Sequence, residues 1–187
     1  MDLKELTVPL KLEDIDFRVQ SINKGGYARI LAYKDARVDM KRLDEVCGPG
    51  YWERKHESVN GVMYCSVGIW NESIKQFVYK QDAGTESQTE AEKGAASDSF
   101  KRACFNWGIG RELYDYPSID VKLEADEFII DAQGRAKATY KLQISKWKWH
   151  IETNDKGEVV ILGARDLNGK LRFIYKQEKE EVDELGK

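Results

Sequence analysis

Residues 51–107 constrain the fold most, because they run through three strand-like segments and then a long amphipathic segment. The dipeptide Asn60-Gly61, which suits the positive φ angles of a tight hairpin turn, separates the first two segments. Asn71-Glu72-Ser73 separates the second from the third. Apolar and polar residues alternate between residues 62 and 70, as in a strand with one buried face. The pattern predicts an antiparallel meander over residues 51–82 that needs a cover on one face.

The predicted cover is a helix that begins at Ser87-Gln88-Thr89-Glu90, a capping box. At about 100° per residue, its apolar residues fall in one stripe, and Gly108 or Gly110 can supply the left-handed cap. The stripe consists of Ala96, Phe100, Ala103, Cys104 and Trp107. A shorter helix of about three turns is predicted between Asp35 and Gly48. The order of elements is therefore helix, three strands, helix.

Strand-like patterns also flank this core. Residues 12–33 predict a hairpin, and residues 128–175 predict a second antiparallel meander. Within the meander, a strand at residues 138–151 changes its alternation, which a bulge near Ser145-Lys146 would explain. The last residues are charged and poor in apolar side chains, as in a frayed tail.

We therefore expect an α+β fold in which a short helix precedes an antiparallel β-β-β-α core and a β-meander follows it. The predicted domains are a core with the N-terminal hairpin at residues 1–118, a β-rich extension at 119–176 and a charged tail at 177–187. The sequence has no basic and apolar leader and no run of about 18 apolar residues, so we expect a cytoplasmic protein that contacts no membrane.

Charge is unevenly distributed along the chain. The net charge is −3, but residues 1–18 and 175–187 each carry three basic and five acidic groups, which leaves 24 basic and 23 acidic groups between them. A polyanion needs local lysines and arginines rather than a positive total, so a basic groove in the body of the protein is permitted.

The sequence lacks the usual signatures of cofactor chemistry. No phosphate-binding Gly-x-x-x-x-Gly-Lys-[Ser/Thr] loop occurs, and the cysteines Cys47, Cys65 and Cys104 have no zinc-site spacing. Two isolated histidines, His56 and His150, make a histidine-based catalytic triad improbable. We therefore expect no cofactor, no metal and no catalytic residue, and we expect that the protein is not an enzyme.

Carboxylates concentrate around the start of the long helix and leave one enzymatic alternative open. Asp82, Glu86, Glu90, Glu92 and Asp98 could in principle assemble the metal site of a small nuclease. Favourable interaction of these side chains with the helix dipole and with solvent is the simpler explanation.

An ordered set of motifs resembles the Rad52 family of strand-annealing proteins, especially its phage Sak-like branch. Residues 93–108 follow the pattern Lys-x-Ala-x-Ser-Asp-x-x-Lys-Arg-Ala with an aromatic residue and a glycine after it. Upstream, residues 33–37, 43–46 and 48–52 resemble the segment that leads into the family's sheet. In that segment a tyrosine, an arginine, a helix, a glycine and a tryptophan follow one another. Downstream, residues 108–114 resemble its glycine-arginine-tyrosine exit. The resemblance covers roughly residues 27 to 116.

The resemblance implies a protein that binds single-stranded DNA and anneals complementary strands in recombination or repair, as an oligomeric ring or arc and without ATP. A single-strand-binding protein and an exonuclease are possible partners. The residues expected to bind DNA are Arg37, Lys93, Lys101, Arg102, Phe105 and Arg111. Taken without the resemblance, Lys101 would be a solvated lysine and Arg102 would pair with Asp98.

Phe105 departs from the family pattern, which often has a basic residue at its place. It lies away from the apolar stripe, so we expect it to stack on a base or to contact a neighbouring subunit. The run Lys146-Trp147-Lys148-Trp149-His150 lies outside the resemblance. Its alternation favours tryptophans in the core and lysines in solvent over a nucleic-acid strand. A third interpretation of the whole chain is a protein-interaction module that recruits partners by strand addition.

Overall fold

A computed structural model describes residues 2–85 and 91–177, without the side chains of residues 91–93. In chain order the strands and helices are β1 Asp16–Ile22, β2 Tyr27–Tyr33, α1 Ala36–Cys47, β3 Trp52–Val59, β4 Val62–Asn71, β5 Gln76–Ala83, α2 Ala91–Trp107, β6 Ile119–Lys122, β7 Phe128–Ile130, β8 Ala136–Ala138, β9 Lys148–Thr153, β10 Val159–Arg165 and β11 Leu171–Lys176. Short 3-10 turns lie at Leu3–Thr7, Leu12–Asp14, Arg111–Asp115 and Ile144–Lys146. The mixture of helices and antiparallel sheets confirms the predicted α+β class.

The chain divides into two compact units. The first contains residues up to 16 together with 33–114, and the second contains 17–32 together with the residues from 115 onward. The hairpin β1–β2 thus belongs to the second unit, where β2 pairs antiparallel with β6. The domain boundaries expected from the sequence stay a prediction.

In the first unit, β3, β4 and β5 form the predicted meander. Trp52 pairs with Ile69 at one end of the β3–β4 hairpin and Val59 pairs with Val62 at the other. Asn60 and the following glycine both have positive φ, 52° and 80°, as a two-residue hairpin turn requires. The turn therefore sets the register of the hairpin, as its dipeptide predicted.

Helix α2 covers one face of this sheet through its apolar stripe. Phe100, Ala103 and Cys104 are buried, and they belong to the same core as the inward residues of β4, which are Cys65, Val67 and Ile69. Full burial of a phenylalanine contributes about 1.5–3 kcal/mol. The Trp107 indole N–H also donates to the carbonyl of Val67 at 2.9 Å. The predicted stripe is confirmed, with Ala96 and Trp107 half-buried at its margins.

Caps at the helix ends follow the predicted chemistry. The Asp35 carboxylate accepts from the Arg37 N–H at the start of α1, and Gly48 ends that helix with φ 87°. Gly108 and Gly110 follow α2 with φ 102° and 70°. The predicted capping box, residues 87–90, lies outside the described residues.

The second unit holds the β1–β2–β6 sheet, the β7–β8 hairpin and the β9–β10–β11 meander. Two strand predictions here were wrong in detail. Residues 12–14 form a 3-10 turn rather than the start of β1, and residues 138–151 do not form one strand. The Leu142 N–H donates to Thr139 and the Trp147 N–H donates to Ile144, so two turns interrupt the chain. The change of alternation therefore marks a break between β8 and β9, not a bulge at Ser145-Lys146.

Trp147, just before β9, and Trp149, within it, face the core, as the alternation favoured, with Trp147 buried and Trp149 half-buried. Trp149 stacks on Phe17, with 3.7 Å between ring centroids and 6° between planes. Trp147 is buried, and the Arg172 guanidinium lies 4.6 Å from its ring centroid. The interleaved lysines are exposed.

Gly84 should be indispensable for the seating of α2 on the sheet. A Cβ atom at this position would lie 2.1 Å from the Ala95 carbonyl oxygen, and backbone of α2 cannot yield to it cheaply. We expect Gly84→Ala to lower the free energy of unfolding in urea by about 1–3 kcal/mol. Gly50→Ala is the matched control, because a Cβ there meets nothing within 4 Å. Equal stabilities of the two variants would contradict the described packing.

Candidate nucleic-acid interface

A surface on the second half of α2 brings together most of the residues that the resemblance singled out. We call it the α2 surface and define it by Lys101, Arg102, Phe105, Arg111 and Tyr114. Lys101 and Arg102 stand half-exposed in the middle of the helix, directly before the buried Ala103 and Cys104. The buried stripe therefore determines which way the two cations face.

A buried ion pair lies beneath this surface. Lys34 follows β2, Asp39 lies in the first turns of α1, and neither side chain has any exposed surface. The Lys34 ammonium donates to Asp39 Oδ1, whereas Oδ2 has no hydrogen-bond partner among the described residues. Burial lowers the pKa of Lys34 and raises that of Asp39 to about 6, and in both cases the partner's charge opposes the shift. Lys101 is close enough to act on both pKa values.

Phe105 joins the pair to the surface. The Lys34 Nζ lies 4.2 Å from the centroid of the Phe105 ring. The Tyr114 ring meets the Phe105 ring edge to face, with 4.8 Å between the two centroids. Phe105 is half-buried, and Tyr114 is 64% exposed. The ring is therefore more enclosed than its place on the helical wheel suggested, because a buried cation and a second aromatic ring hold it.

Arg102 forms the helical ion pair that its spacing allows. Its Nε donates to Asp98 at 3.0 Å, and the same carboxylate accepts from the N–H and hydroxyl of Thr85. Burial alone would raise the pKa of Asp98, but these hydrogen bonds outweigh it and hold the pKa below its ordinary value. The contact uses Nε only, so the terminal guanidinium nitrogens of Arg102 are the ones left to face a ligand.

Arg111 caps the C-terminus of α2. Its guanidinium donates to the carbonyl oxygens of Phe105 and Asn106 at distances between 2.9 and 3.0 Å. A cation at this helix end also complements the helix dipole. Most of its donors are therefore engaged in holding the helix end.

Arg37 and Lys93 are not among the residues that define the α2 surface. Arg37 is exposed in the first turn of α1, two residues before Asp39, and its guanidinium has no hydrogen-bond or ion-pair partner in the described part of the chain. Lys93 belongs to α2, but its side chain lies outside the described residues.

The buried pair was not predicted from the sequence, although the periodicity carries a signal for both members. In β2 the even-numbered residues Ala28 and Ile30 point inward, and Lys34 continues that parity. In α1 the buried face contains Asp39, Leu43 and Cys47, which are four residues apart. A charged residue at an inward position of each element predicts a buried pair when the two are considered together.

Of the carboxylates considered for a nuclease, the structure describes the side chains of Asp82 and Asp98, and both have partners within the chain. Asp98 is bound to Thr85 and Arg102, and Asp82 accepts from the side-chain amide of Asn106. Glu86 and Glu90 lie outside the described residues, as does the side chain of Glu92. Within residues 2–85 and 94–177, no three histidine, cysteine or acidic side chains are grouped so that they could hold a metal ion. No helix in the described part of the chain has both the length and the apolar character to cross a membrane.

Comparison with known proteins places this geometry in a family. Residues 3–127 match the model of the Rad52/22 family of double-strand break repair proteins. The chain belongs to this family.

Two relatives carry the name single-stranded DNA-binding protein DdrA. The protein of Deinococcus radiodurans is 34% identical over 122 residues, which cover 61% of this chain and 55% of the relative. The protein of Deinococcus deserti is 35% identical over 122 residues, which cover 61% of this chain and 57% of the relative. The chain thus spans little more than half the length of these relatives. The phage Sak-like branch stays a prediction.

Removing one member of the buried pair should be far more damaging than replacing both. Asp39→Ala would leave the Lys34 ammonium uncompensated in the core, and we expect a loss of about 3 kcal/mol or more in the free energy of unfolding. The double variant Lys34→Met/Asp39→Leu removes both charges and should be less destabilised than Asp39→Ala alone. Urea denaturation of the wild type and of the three variants, including Lys34→Met, measures the difference. A double variant less stable than Asp39→Ala would contradict this description of the pair.

Proposed function

We propose that this protein binds single-stranded DNA by its sugar-phosphate backbone and anneals complementary strands in recombination or repair. Assembled copies hold the strand along the α2 surface and the start of α1, without ATP, metal or covalent chemistry. The single observation that carries the proposal is the α2 surface itself. It presents cations beside an aromatic pair, in a chain of the Rad52/22 family whose relatives are named as single-stranded DNA-binding proteins.

Annealing favours contacts to phosphates over contacts to bases. Phosphate contacts give affinity without reference to sequence, because they release condensed counterions. Contacts to base edges would occupy the groups that the complementary strand must pair with. Lysine and arginine side chains on a helix surface can bind phosphates and leave the base edges free to pair.

The candidate residues differ in how many of their hydrogen-bond donors remain available to a phosphate. Arg37 comes first because its entire guanidinium is available among the described residues, and Lys101 is next because no carboxylate binds its ammonium there. Arg102 retains its terminal nitrogens after pairing with Asp98. Arg111 contributes least, because it caps α2. Lys93 is proposed from the motif alone.

Phe105 and Tyr114 provide an aromatic edge beside these cations. The Lys34 ammonium holds one side of the Phe105 ring, which leaves its exposed part and the more exposed Tyr114 to contact a base or a neighbouring subunit. One stacked base contributes about 1–3 kcal/mol to affinity and tolerates any sequence. This arrangement would bind the strand without recognising its sequence.

Arg37→Ala and Lys101→Ala should each weaken binding to all single-stranded sequences alike. Fluorescence anisotropy with a labelled oligonucleotide, repeated over a range of salt concentrations, measures the effect. We expect each variant to reduce the slope of log affinity against log salt by about 0.7 to 1 unit for each phosphate that the variant no longer binds.

Lys11→Ala is the matched control, since this lysine is exposed and lies 4.0 Å from the Glu13 carboxylate. It should leave the slope unchanged. Wild-type protein that does not bind the oligonucleotide, or binds it independently of salt, would overturn the proposed function. Unchanged slopes in both variants would remove these residues from the interface.

A further inference from the structure

The outward face of the β9–β10–β11 sheet carries cations that the proposed function does not use. Because Trp147 and Trp149 belong to the core, the intervening Lys148 and the following His150 point to the opposite face. The register places Lys148 directly opposite Arg165 of β10. Lys176 of β11 lies opposite Ile161 on the same face.

Two like charges directly opposite each other on neighbouring strands destabilise a sheet. Lys148 and Arg165 are such a pair, and both are exposed. Among the described residues no carboxylate binds Lys148, Arg165 or Lys176; Arg165 donates only to the carbonyl of Gly169 at 2.9 Å. The one acidic side chain of this face, Glu152, accepts from His150 at 2.8 Å.

Several other exposed cations of the same unit have carboxylate partners, whereas Lys24, Lys122, Lys146 and Lys156 have none among the described residues. Arg29 binds Asp120 at 2.6 Å, Lys141 binds Asp126 at 2.7 Å, and Lys170 binds Glu124 at 2.5 Å. The outward face of the meander thus carries unneutralised cations, and the strand register places two of them, Lys148 and Arg165, directly opposite each other. A local arrangement that costs stability without a compensating contact is typical of a binding site.

We propose that Lys148, Arg165 and Lys176 form a second site for the sugar-phosphate backbone of single-stranded DNA. The site lies outside residues 3–127, the part of the chain that matches the family. Charge complementarity identifies the ligand, because a phosphate between Lys148 and Arg165 would turn their repulsion into two attractive contacts. Between the cations, Ile174 lies opposite the buried Gly163 and is 48% exposed, so the same face also offers an apolar surface.

This inference rests on the proposed function, since it gives the same ligand a second site, but it predicts separable effects. The double variant Lys148→Gln/Arg165→Gln removes the opposed pair. Lys137→Gln/Lys141→Gln is the matched control, because it removes the same charge from lysines bound to Asp131 and Asp126. Both variants are made in the full chain and tested with a long labelled oligonucleotide.

Removal of two phosphate-binding cations should reduce the salt slope of the first variant by about 1.4 units. Its affinity relative to the wild type should then fall about 25-fold more at 0.1 M than at 1 M salt. The control variant should keep the wild-type slope. Thermal unfolding gives a second readout: removal of like charges should leave the melting temperature of the first variant unchanged or raised, whereas a damaged fold would lower it.

The outcomes separate the two proposals. A normal slope in Lys148→Gln/Arg165→Gln, or an equal fall in the control, overturns the second site. If Lys101→Ala still reduces the slope in the same experiment, the loss of the second site leaves the proposal for the α2 surface standing. Failure of the wild type to bind the oligonucleotide overturns both.

Discussion

The packing of α2 on the β3–β4–β5 sheet determines which residues the α2 surface presents to a ligand. Phe100, Ala103 and Cys104 turn toward the sheet, so the residues between and beside them face outward. Lys101 and Arg102 are therefore exposed as a direct result of core burial. The close approach at Gly84 and the hydrogen bond from Trp107 to the sheet fix the helix at both ends.

The Lys34–Asp39 pair connects this packing to the candidate interface. A fully buried ion pair adds little net stability, because desolvation of both charges offsets their attraction. Its structural consequence is specific. Asp39, in the first turns of α1, binds the Lys34 ammonium, which in turn contacts the Phe105 ring next to Lys101. Gly110 leaves room for the lysine stem, since a Cβ there would lie 2.9 Å from Lys34 Cδ. Polar side chains in the core thus set the position of the aromatic ring that the proposed strand would meet.

Local signals in the sequence predicted the core well. Asn60-Gly61 predicted the hairpin, the apolar stripe predicted the buried face of α2, and the glycines predicted both helix ends. Each of these features depends on residues close together in the chain, where steric and hydrogen-bonding preferences act directly. The ordered motifs likewise led to the Rad52/22 family before any fold was known.

Other features were not predicted, for different physical reasons. The change of alternation before β9 was visible in the sequence, but the turn hydrogen bonds that make it a break rather than a bulge were not. The use of Arg111 as a helix cap depends on where the chain returns after Gly110. Opposition of Lys148 and Arg165 follows from a strand register, which a sequence pattern alone does not fix. In the first two cases the deciding contacts are local hydrogen bonds that periodicity does not show, and in the third the partner lies on another strand.

The proposed function requires that assembled copies hold a single strand by its backbone and leave its bases free to pair. The rate at which two labelled complementary oligonucleotides form a duplex, measured without ATP or divalent metal, tests this claim most directly. Wild-type protein should raise that rate in low salt, lose the effect as salt increases, and act as an assembly larger than a monomer. A protein that stays monomeric, or that binds both strands yet leaves the rate of duplex formation unchanged or slower, would contradict it.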